Sequence, residues 1–445
     1  MATDIQIIHP RSAGIDIGSE KVFVYVPGHE VLHFDTFTAA FHQLIAFLQS
    51  VGVKTVAMEA TGVYWFSLYE LLEAAGVEVY LVNGAHVKNV PGRKSDVSDC
   101  QWLQQLHQYG LLRRSFIPDE NIRQLRTYVR LREDHLEIRA SHIQHIQKAL
   151  TSMNVRLHQV ISQITGASGM RIIKAILGGE RNPRQLADLC EKQILNKKRD
   201  LVELSLEGLY KREHLFALRQ AIEAYEFYDH QIANCDAEIG KILKEINDQL
   251  PPPENTSTLH KAKPTRHNAP DIKHLHSMLV TMTGGKDLAI ISGLTDLSFL
   301  KVVAEIGTDM NRWPTAKHFT AWLGLAPSSH SSGKTNKRKT NRAKTKAGQI
   351  FREAAQAMSV SKFLALGAFY RRICSRKGPK IANMATARKL AIQVYNLLKH
   401  GCDFLEQGIE NYNNQLKARQ EKHLQKLADK LGYILSPNPE ALVVH

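Results

Sequence analysis

The sequence is poor in the features that mark disulfide-stabilised, secreted and membrane-spanning proteins. Its five cysteines are far apart, at Cys100, Cys190, Cys235, Cys374 and Cys402. No Cys-x-x-Cys pair is present, which argues against a zinc ribbon and a disulfide framework. No apolar run approaches the roughly 18 residues that a membrane span needs. Residues 1–10 show no basic start followed by an apolar stretch, as a secretory signal would. We therefore expect a cytoplasmic protein without a membrane partner.

The histidines and the overall composition exclude further classes. None of the 21 histidines stands in a His-Glu-x-x-His or comparable metal spacing, and no low-complexity tract or internal repeat is present. With 43% hydrophobic and 23% charged residues, the composition excludes a wholly disordered or fibrous chain. A length of 445 residues suits about two to four domains with cores of their own.

Positive charge is concentrated in one segment. The chain has 58 Lys and Arg against 43 Asp and Glu, a net charge of +15. Residues 276–400 contain 21 of these basic residues but only 5 of the acidic ones, so this segment holds all of the excess. Such asymmetry indicates a polyanionic partner, most simply nucleic acid. The alternative is a surface that serves solubility.

The first 118 residues are predicted to form an α/β unit. β-rich runs at 13–18, 21–26 and 31–34 are close enough to form an antiparallel meander. Apolar periodicity then predicts a helix over 41–48, a strand over 53–58, a helix over 66–72 and a strand over 77–82, which implies parallel pairing by crossovers. The order β-β-β-α-β-α-β-α is that of the ribonuclease-H-like fold.

A coiled-coil region is predicted over 119–250. Apolar residues seven apart predict one long helix, with Arg132 and Arg139 interrupting the repeat. The repeat consists of Ile122, Val129, Leu136, Ile143 and Leu150, with companions Leu125, Ile146 and Met153. A second long helix is predicted over 218–243, and a small insertion, 166–200, lies between the two. The helices could pack on each other within the chain or across a dimer.

The remaining segments are a linker, a mostly helical basic domain and a tail. Residues 251–275 are rich in Pro, Asn, Thr and Lys and are expected to be a flexible linker. In the domain 276–400, helices are predicted over 294–306, 351–369 and 385–398. The tail, 401–445, is expected to contain a charged amphipathic helix over 404–431. The fold class is thus α/β plus all-α.

Four acidic residues are predicted to meet in the first domain. Asp16 lies in an apolar strand, where a carboxylate is costly to bury without a partner. Glu59 follows the strand that is expected to be its neighbour. Asp96 and Asp99 share one face at the start of a helix after Ser95. Oxygen-only ligands select Mg²⁺ or Mn²⁺, and two such ions about 4 Å apart promote phosphodiester chemistry.

Simpler interpretations of these acids exist. Asp-x-x-Asp alone is most often a helix cap. The run Gly14–Ile-Asp-Ile-Gly-Ser19 also resembles the phosphate turn of actin-like ATPases, but the second Asp-x-Gly turn and the glycine-rich adenosine site of that fold are missing.

A serine-rich segment in the basic domain is a second candidate site. Residues 328–332 contain four serines around His330, and no acidic residue occurs from Ser328 through Gln349. A serine hydroxyl before Gly333 in such a field could attack phosphorus, since nearby cations lower its pKa and stabilise the developing charge. His330 could serve as its base. Taken alone, such a segment is more often a flexible loop that binds the phosphate backbone.

Both candidate sites, in this order, resemble the DEDD transposases of insertion sequence family 110, subgroup 1111. The similarity covers nearly the whole length. The matching motifs are Gly14–Gly18, Met58–Trp65, Val82–Asp99, Glu305–Met310, His318–Pro327, Ser332–Lys334 and Ala385–Ala391.

The resemblance implies a site, a cofactor and partners. The family's acidic tetrad falls on Asp16, Glu59, Asp96 and Asp99 of a RuvC-like domain that binds Mg²⁺. The nucleophilic serine, which forms a covalent phosphoserine with DNA, falls on Ser332, with Ser331 as the alternative. Lys334 stands where the family commonly has a second glycine. Expected nucleic-acid contacts are Arg93, Lys94, Lys334, Lys337, Arg338, Lys339, Arg342, Lys344 and Lys346.

The family also implies assembly with an RNA. Its members are guided by a structured noncoding bridge RNA from their own element, which pairs with target and donor DNA. They assemble as tetramers, dimers of dimers, with acids and serine from different subunits, in a bacterial cytoplasm and at the nucleoid when bound to DNA. If the RNA selects the DNA sequence, the basic segment 276–400 needs to contact only the phosphate backbone. Two other functions remain open: a Holliday-junction-type nuclease that uses only the tetrad and water, and a non-catalytic nucleic-acid-binding protein.

Overall fold

A computed structural model describes most of the chain and divides it into two units, residues 1–117 and 118–445. The units are described separately below. The described residues are 6–84, 96–251, 268–332, 335–340, 345–361, 365–401, 418, 421–422 and 424–435.

Three antiparallel strands begin the first unit. They are β1 (Ser12–Ile17), β2 (Lys21–Tyr25) and β3 (Leu32–Asp35). The register pairs Ile15 with Val24 and Val24 with Leu32, so the strands form the predicted meander.

Two parallel strands complete the sheet. After helix α1 (Thr38–Ser50) come β4 (Thr55–Glu59), helix α2 (Trp65–Ala74) and β5 (Glu78–Val82). The strand order is β3-β2-β1-β4-β5, with β1, β4 and β5 parallel, which confirms the predicted mixed α/β unit. One face packs against α1 and α2 through fully buried side chains such as Ala13, Ile15, Val56, Met58, Leu44 and Leu72.

Helix α3 (Asp96–Gln108) packs on the opposite face of the sheet. Its side chains Cys100, Leu103, Gln104 and His107 are buried. The His107 Nε2 atom lies 2.9 Å from the Thr55 hydroxyl of β4. Burial lowers the pKa of His107 to about 4, so its ring is neutral at physiological pH.

The two long predicted helices pack on each other within the chain. They are α4 (Glu120–Ser152) and α8 (Arg212–Asp248), and they run antiparallel. Of the predicted repeat on α4, the buried members are Ile122, Leu125, Val129, Ile146 and Leu150. The intrachain hairpin is thus the packing that the structure shows.

The arginines that interrupt the repeat are paired with aspartates of α8. Arg132, whose side chain is 2% exposed, donates from Nε to Asp236 Oδ1 over 2.5 Å. Arg139 forms an ion pair with Asp229 one heptad further along α4. Both arginines also bond to Asn268, through its backbone carbonyl and its side chain respectively. Asn268 belongs to the predicted linker, of which residues 252–267 lie outside the described residues.

The predicted insertion is helical. It contains α5 (Ala167–Leu177), α6 (Pro183–Asp188) and most of α7 (Lys192–Ser205). These helices share a core with the ends of α4 and α8 near Leu150 and Leu218.

The rest of the second unit is mostly helical, as predicted. The helices are α9 (Leu275–Met282), α10 (Asp296–Ile306), α11 (Ala316–Trp322), α12 (Lys346–Ser359), α13 (Ala365–Lys377) and α14 (Pro379–His400). The prediction of continuous helix over 351–369 was wrong, because α12 ends at Ser359 and α13 starts anew at Ala365. A Cβ atom on Gly367 would lie 2.6 Å from the Ser361 carbonyl oxygen, so glycine permits this close return of the chain.

Of the predicted tail helix, residues 418, 421–422 and 424–431 are helical, and the others lie outside the described residues. None of the described helices combines the length and apolar character that crossing a membrane requires.

The Arg132–Asp236 pair makes the helical hairpin sensitive to single changes. Asp236→Asn leaves a buried guanidinium without its counter-charge, so we expect the free energy of unfolding to fall by about 3–5 kcal/mol. The measurement is urea denaturation followed by helical circular dichroism. Lys241→Met, which removes an exposed ion pair on the same helix, should change it by less than about 1 kcal/mol. Equal effects of the two variants would show that the buried pair has no special role.

Candidate active site

Two of the predicted acids lie at the carboxyl ends of neighbouring central strands. The parallel register of β1 and β4 pairs Ile15 with Met58, so Asp16 and Glu59 are the next positions along the two strands. Side chains alternate across a sheet, and Ile15 and Met58 face the core with α1 and α2. The half-buried carboxylates of Asp16 and Glu59 therefore lie on the face that α3 covers.

Helix α3 comes unusually close to β1 because residue 14 is a glycine. A Cβ atom on Gly14 would lie 2.0 Å from the Cys100 carbonyl oxygen and 2.5 Å from the Gln104 backbone nitrogen. The Gln104 amide also donates to the Ser12 hydroxyl over 3.3 Å. Any larger residue at position 14 would push the helix away. The contact places the first turn of α3, with Asp99, beside the carboxyl end of β1.

The thiol of Cys100 lies in the electrostatic field of two of these acids. Burial raises the pKa of this thiol to about 11, and the negative charges of Asp16 and Asp99 both contribute to the increase. Two carboxylates, one on β1 and one on α3, thus act on the same sulfur atom. Asp16 and Asp99 therefore lie at one end of the β1–α3 interface.

Glu59 is close to the segment that follows β5. A Cβ atom on Gly84 would lie 2.0 Å from Glu59 Oε1. The carboxylate therefore packs against the backbone of residue 84, and a side chain at this position would require the flexible end of Glu59 to move.

The described acids suit a hard divalent cation by donor type. Asp16, Glu59 and Asp99 offer only carboxylate oxygens at one edge of the sheet, which Mg²⁺ and Mn²⁺ prefer. Asp96 begins α3, one turn before Asp99, but its side chain lies outside the described residues, as do Arg93 and Lys94. Among the side chains that are described, no group of three His, Cys, Asp or Glu is close enough to hold an ion.

The serine-rich segment forms a β-hairpin where a flexible loop was an alternative. Strand β6 (Pro327–Ser332) pairs with β7 (Thr335–Thr340), and Ser332 stands opposite Thr335. Ser332 is thus the last strand residue before the turn, whose residues 333–334 lie outside the described part of the chain. On β7 the backbone positions of Lys337, Arg338 and Lys339 stand opposite His330, Ser329 and Ser328. Lys346 is exposed at the start of α12, and Arg342 and Lys344 are not described.

The base of this hairpin is closed by Thr345. Its hydroxyl donates to the Leu323 carbonyl over 2.9 Å and accepts from the Gly348 backbone N–H over 3.0 Å. A Cβ atom on Gly348 would lie 2.1 Å from the Leu323 carbonyl oxygen. The chain is therefore joined across the two ends of the hairpin, at the end of α11 and the start of α12.

The residues that sequence reasoning missed are the glycines. Neither Gly14 nor Gly84 has a reactive side chain. Gly14 leaves space for the backbone of α3, and Gly84 lies against the carboxylate of Glu59. The signal for Gly14 is its position two residues before Asp16, on the same face of the strand.

Gly14→Ala should move α3 away from β1. We expect the buried Cys100 thiol to react with iodoacetamide at least about ten-fold faster, because local opening controls the reactivity of a buried group. Peptide mass spectrometry measures the rate at Cys100 specifically. Gly240→Ala, inside α8, is the matched control. Its Cβ atom would lie 3.5 Å from Ile272, an ordinary van der Waals distance, so the helix should not move. An unchanged rate in Gly14→Ala would contradict the assigned role of Gly14.

Thr345→Val should loosen the base of the hairpin. The variant loses both hydroxyl bonds, so we expect the free energy of unfolding to fall by about 1–2 kcal/mol. Thr345→Ser keeps the hydroxyl and should stay within about 0.5 kcal/mol of the original chain. Urea titration of the two variants side by side checks the difference, and a valine variant as stable as the serine variant would refute it.

Two segments of the chain match models of known protein families. A family model for IS110 transposases of the DEDD type matches residues 13–155, which include Asp16, Glu59, Asp96 and Asp99. A second model, for transposases of the IS116/IS110/IS902 family, matches residues 286–371, which include the serine hairpin. No curated protein matches the chain. The chain thus contains two domains of IS110-family transposases, which supports a transposase or recombinase function on DNA.

Proposed function

We propose that this chain is the transposase of an insertion sequence and that it cuts and rejoins DNA through a serine phosphodiester. The first unit is then the RNase H-like (RuvC-like) domain of such an enzyme. The observation that carries the proposal is the position of Asp16 and Glu59 at the carboxyl ends of the neighbouring strands β1 and β4, with Asp99 in the first turn of α3, which packs on β1.

The acids are proposed to hold Mg²⁺ or Mn²⁺ beside the phosphodiester. Asp16, Glu59, Asp96 and Asp99 would supply the ligands. When bound, the cation offsets the charge of the phosphate and stabilises the oxygen that leaves. Cys100 lies beside these acids, but its pKa of about 11 keeps the thiol protonated at neutral pH.

Ser332 is proposed as the nucleophile, with Ser331 as the alternative. The serine oxygen bonds to phosphorus, the P–O bond to one DNA strand end breaks, and that strand end takes the proton as a free hydroxyl. In the second step a DNA hydroxyl attacks the phosphoserine and returns the proton to the serine. The number of phosphoester bonds is unchanged, so no external energy source is needed. Lys337, Arg338 and Lys339 on β7 would favour DNA at this hairpin.

We further propose the partners that the family resemblance implies. These are target and donor DNA, a bridge RNA of subgroup 1111 type and a tetramer of this chain in the bacterial cytoplasm. Support comes from the excess of 21 basic over 5 acidic residues in the segment 276–400. Backbone contacts by such a segment carry little sequence information, which leaves sequence choice to base pairing.

Trapping of protein-linked DNA tests the serine. We expect the full chain, purified with its nucleic acid and supplied with Mg²⁺, to form an adduct that survives denaturing gels. Ser332→Ala should abolish the adduct, and Asp16→Asn should slow its formation by about 100-fold or more. Ser328→Ala is the matched control on the same strand. An adduct that persists in Ser332→Ala but not in Ser331→Ala moves the nucleophile by one residue.

Two results would reject the proposal. Metal-dependent cleavage without any adduct would indicate a junction nuclease that uses water. Binding of nucleic acid without cleavage, whatever the metal, would indicate a structural protein.

A further inference from the structure

The exposed aromatic side chains of the first unit lie along the edge of the sheet that carries the acids. Within residues 6–84 and 96–117, the exposed Phe, Tyr and Trp side chains are Phe37, Tyr64 and Phe66, at 73%, 49% and 41%. Strand β2 is antiparallel to both of its neighbours, so β3 runs in the same direction as β1 and β4. Phe37 follows the carboxyl end of β3, and Tyr64 and Phe66 follow that of β4. All three therefore lie at the edge where Asp16 and Glu59 lie.

The aromatic group after β4 is built as a rigid stack. The Phe66 ring lies on the Trp65 ring, with centroids 4.0 Å apart and planes inclined by 20°. Trp65 in turn meets Tyr69 edge-on, at 5.7 Å and 89°, and Tyr69 is buried in the core. Phe66 is thus the outer member of a series of rings anchored in the core. Val63, at 71% exposure, and Tyr64 extend this apolar surface.

A nucleobase fits this surface better than an apolar protein face does. Tyr64 and Phe66 follow the carboxyl end of β4, where Glu59 lies, so a partner that covers the rings lies at the same edge of the sheet as the carboxylates. An apolar partner would desolvate those charges without compensation. A nucleotide offers a flat base to the rings and a phosphate to the cation that the acids are proposed to hold. Aromatic rings bind every base by stacking, but only when the base is released from its own stack.

We propose that Tyr64 and Phe66 stack on an unpaired base of the DNA strand whose phosphate lies at the acids. This inference rests on the proposed function and adds a substrate class to it: DNA that is locally unpaired at the reacting phosphodiester. The Phe66 ring is held in place by its stacking on Trp65, so little of its side-chain freedom is lost on binding.

Binding of mismatched DNA tests this role apart from catalysis. The probe is a DNA duplex with a central two-base mismatch that contains 2-aminopurine, compared with the same duplex fully paired. Binding is measured with the full chain in Ca²⁺, by fluorescence of the 2-aminopurine and by competition. We expect the mismatched duplex to bind about ten-fold more tightly than the paired one, with a quenched 2-aminopurine signal. Tyr64→Ala and Phe66→Ala should each remove most of this preference.

Two controls separate stacking from general damage. Phe66→Trp keeps an aromatic surface and should keep the preference. Leu111→Ala removes an exposed apolar side chain that follows α3, at the opposite edge of the sheet, and should change nothing. A preference lost equally in Leu111→Ala would show an unspecific effect and overturn the assignment.

The remaining outcomes distinguish this inference from the proposed function. If the adduct forms with the original chain but mismatched DNA binds no better than paired DNA, the stacking surface is wrong and the function stands. If single-stranded RNA of the same sequence displaces the mismatched DNA at lower concentration, the rings serve the RNA and the assignment to DNA is overturned. If Tyr64→Ala changes the sedimentation coefficient and not the fluorescence, the rings contact protein.

Discussion

The close contact between α3 and β1 at Gly14 is the constraint on which the candidate site depends. With no side chain at residue 14, the helix backbone reaches the strand, and the carbonyl of Cys100 occupies the place of a Cβ atom. The acids come from elements far apart in sequence, and this contact helps to bring Asp99 to the end of β1 that carries Asp16. At Gly84 the close neighbour is the Glu59 carboxylate itself and not the backbone of another element. Backbone proximity, rather than side-chain attraction, thus assembles carboxylates that repel one another.

Much of the first unit was predictable, because its strands and helices have strong apolar periodicity and short connections. The neighbouring positions of Asp16 and Glu59 follow from strand order alone, since parallel central strands end at the same edge. The closeness of α3 was not predictable, because an apolar pattern on a helix does not give its distance from the sheet. That distance depends on a residue with no side chain, which a pattern of side chains cannot reveal.

In the second unit the sequence indicated both long helices but not the partner of each. Arg132 and Arg139 looked like interruptions of an apolar repeat. They are in fact paired with Asp236 and Asp229, which lie 104 and 90 residues later in the chain. The serine segment was harder to interpret, because a polar run of Ser, Lys and Arg has no apolar alternation. Its strands pair by backbone hydrogen bonds, and its base is joined by Thr345.

The spacing of the two arginine–aspartate pairs also limits how the helical hairpin moves. Seven residues separate the arginines and seven separate the aspartates, so both pairs belong to a single antiparallel alignment. Sliding one helix by a turn, about 5.4 Å, would break both pairs at once. The charge of Arg132 would then be buried without a counter-charge. Rotation of the pair as one body leaves both contacts intact. The helical hairpin is therefore expected to move as one rigid body, without sliding of one helix along the other.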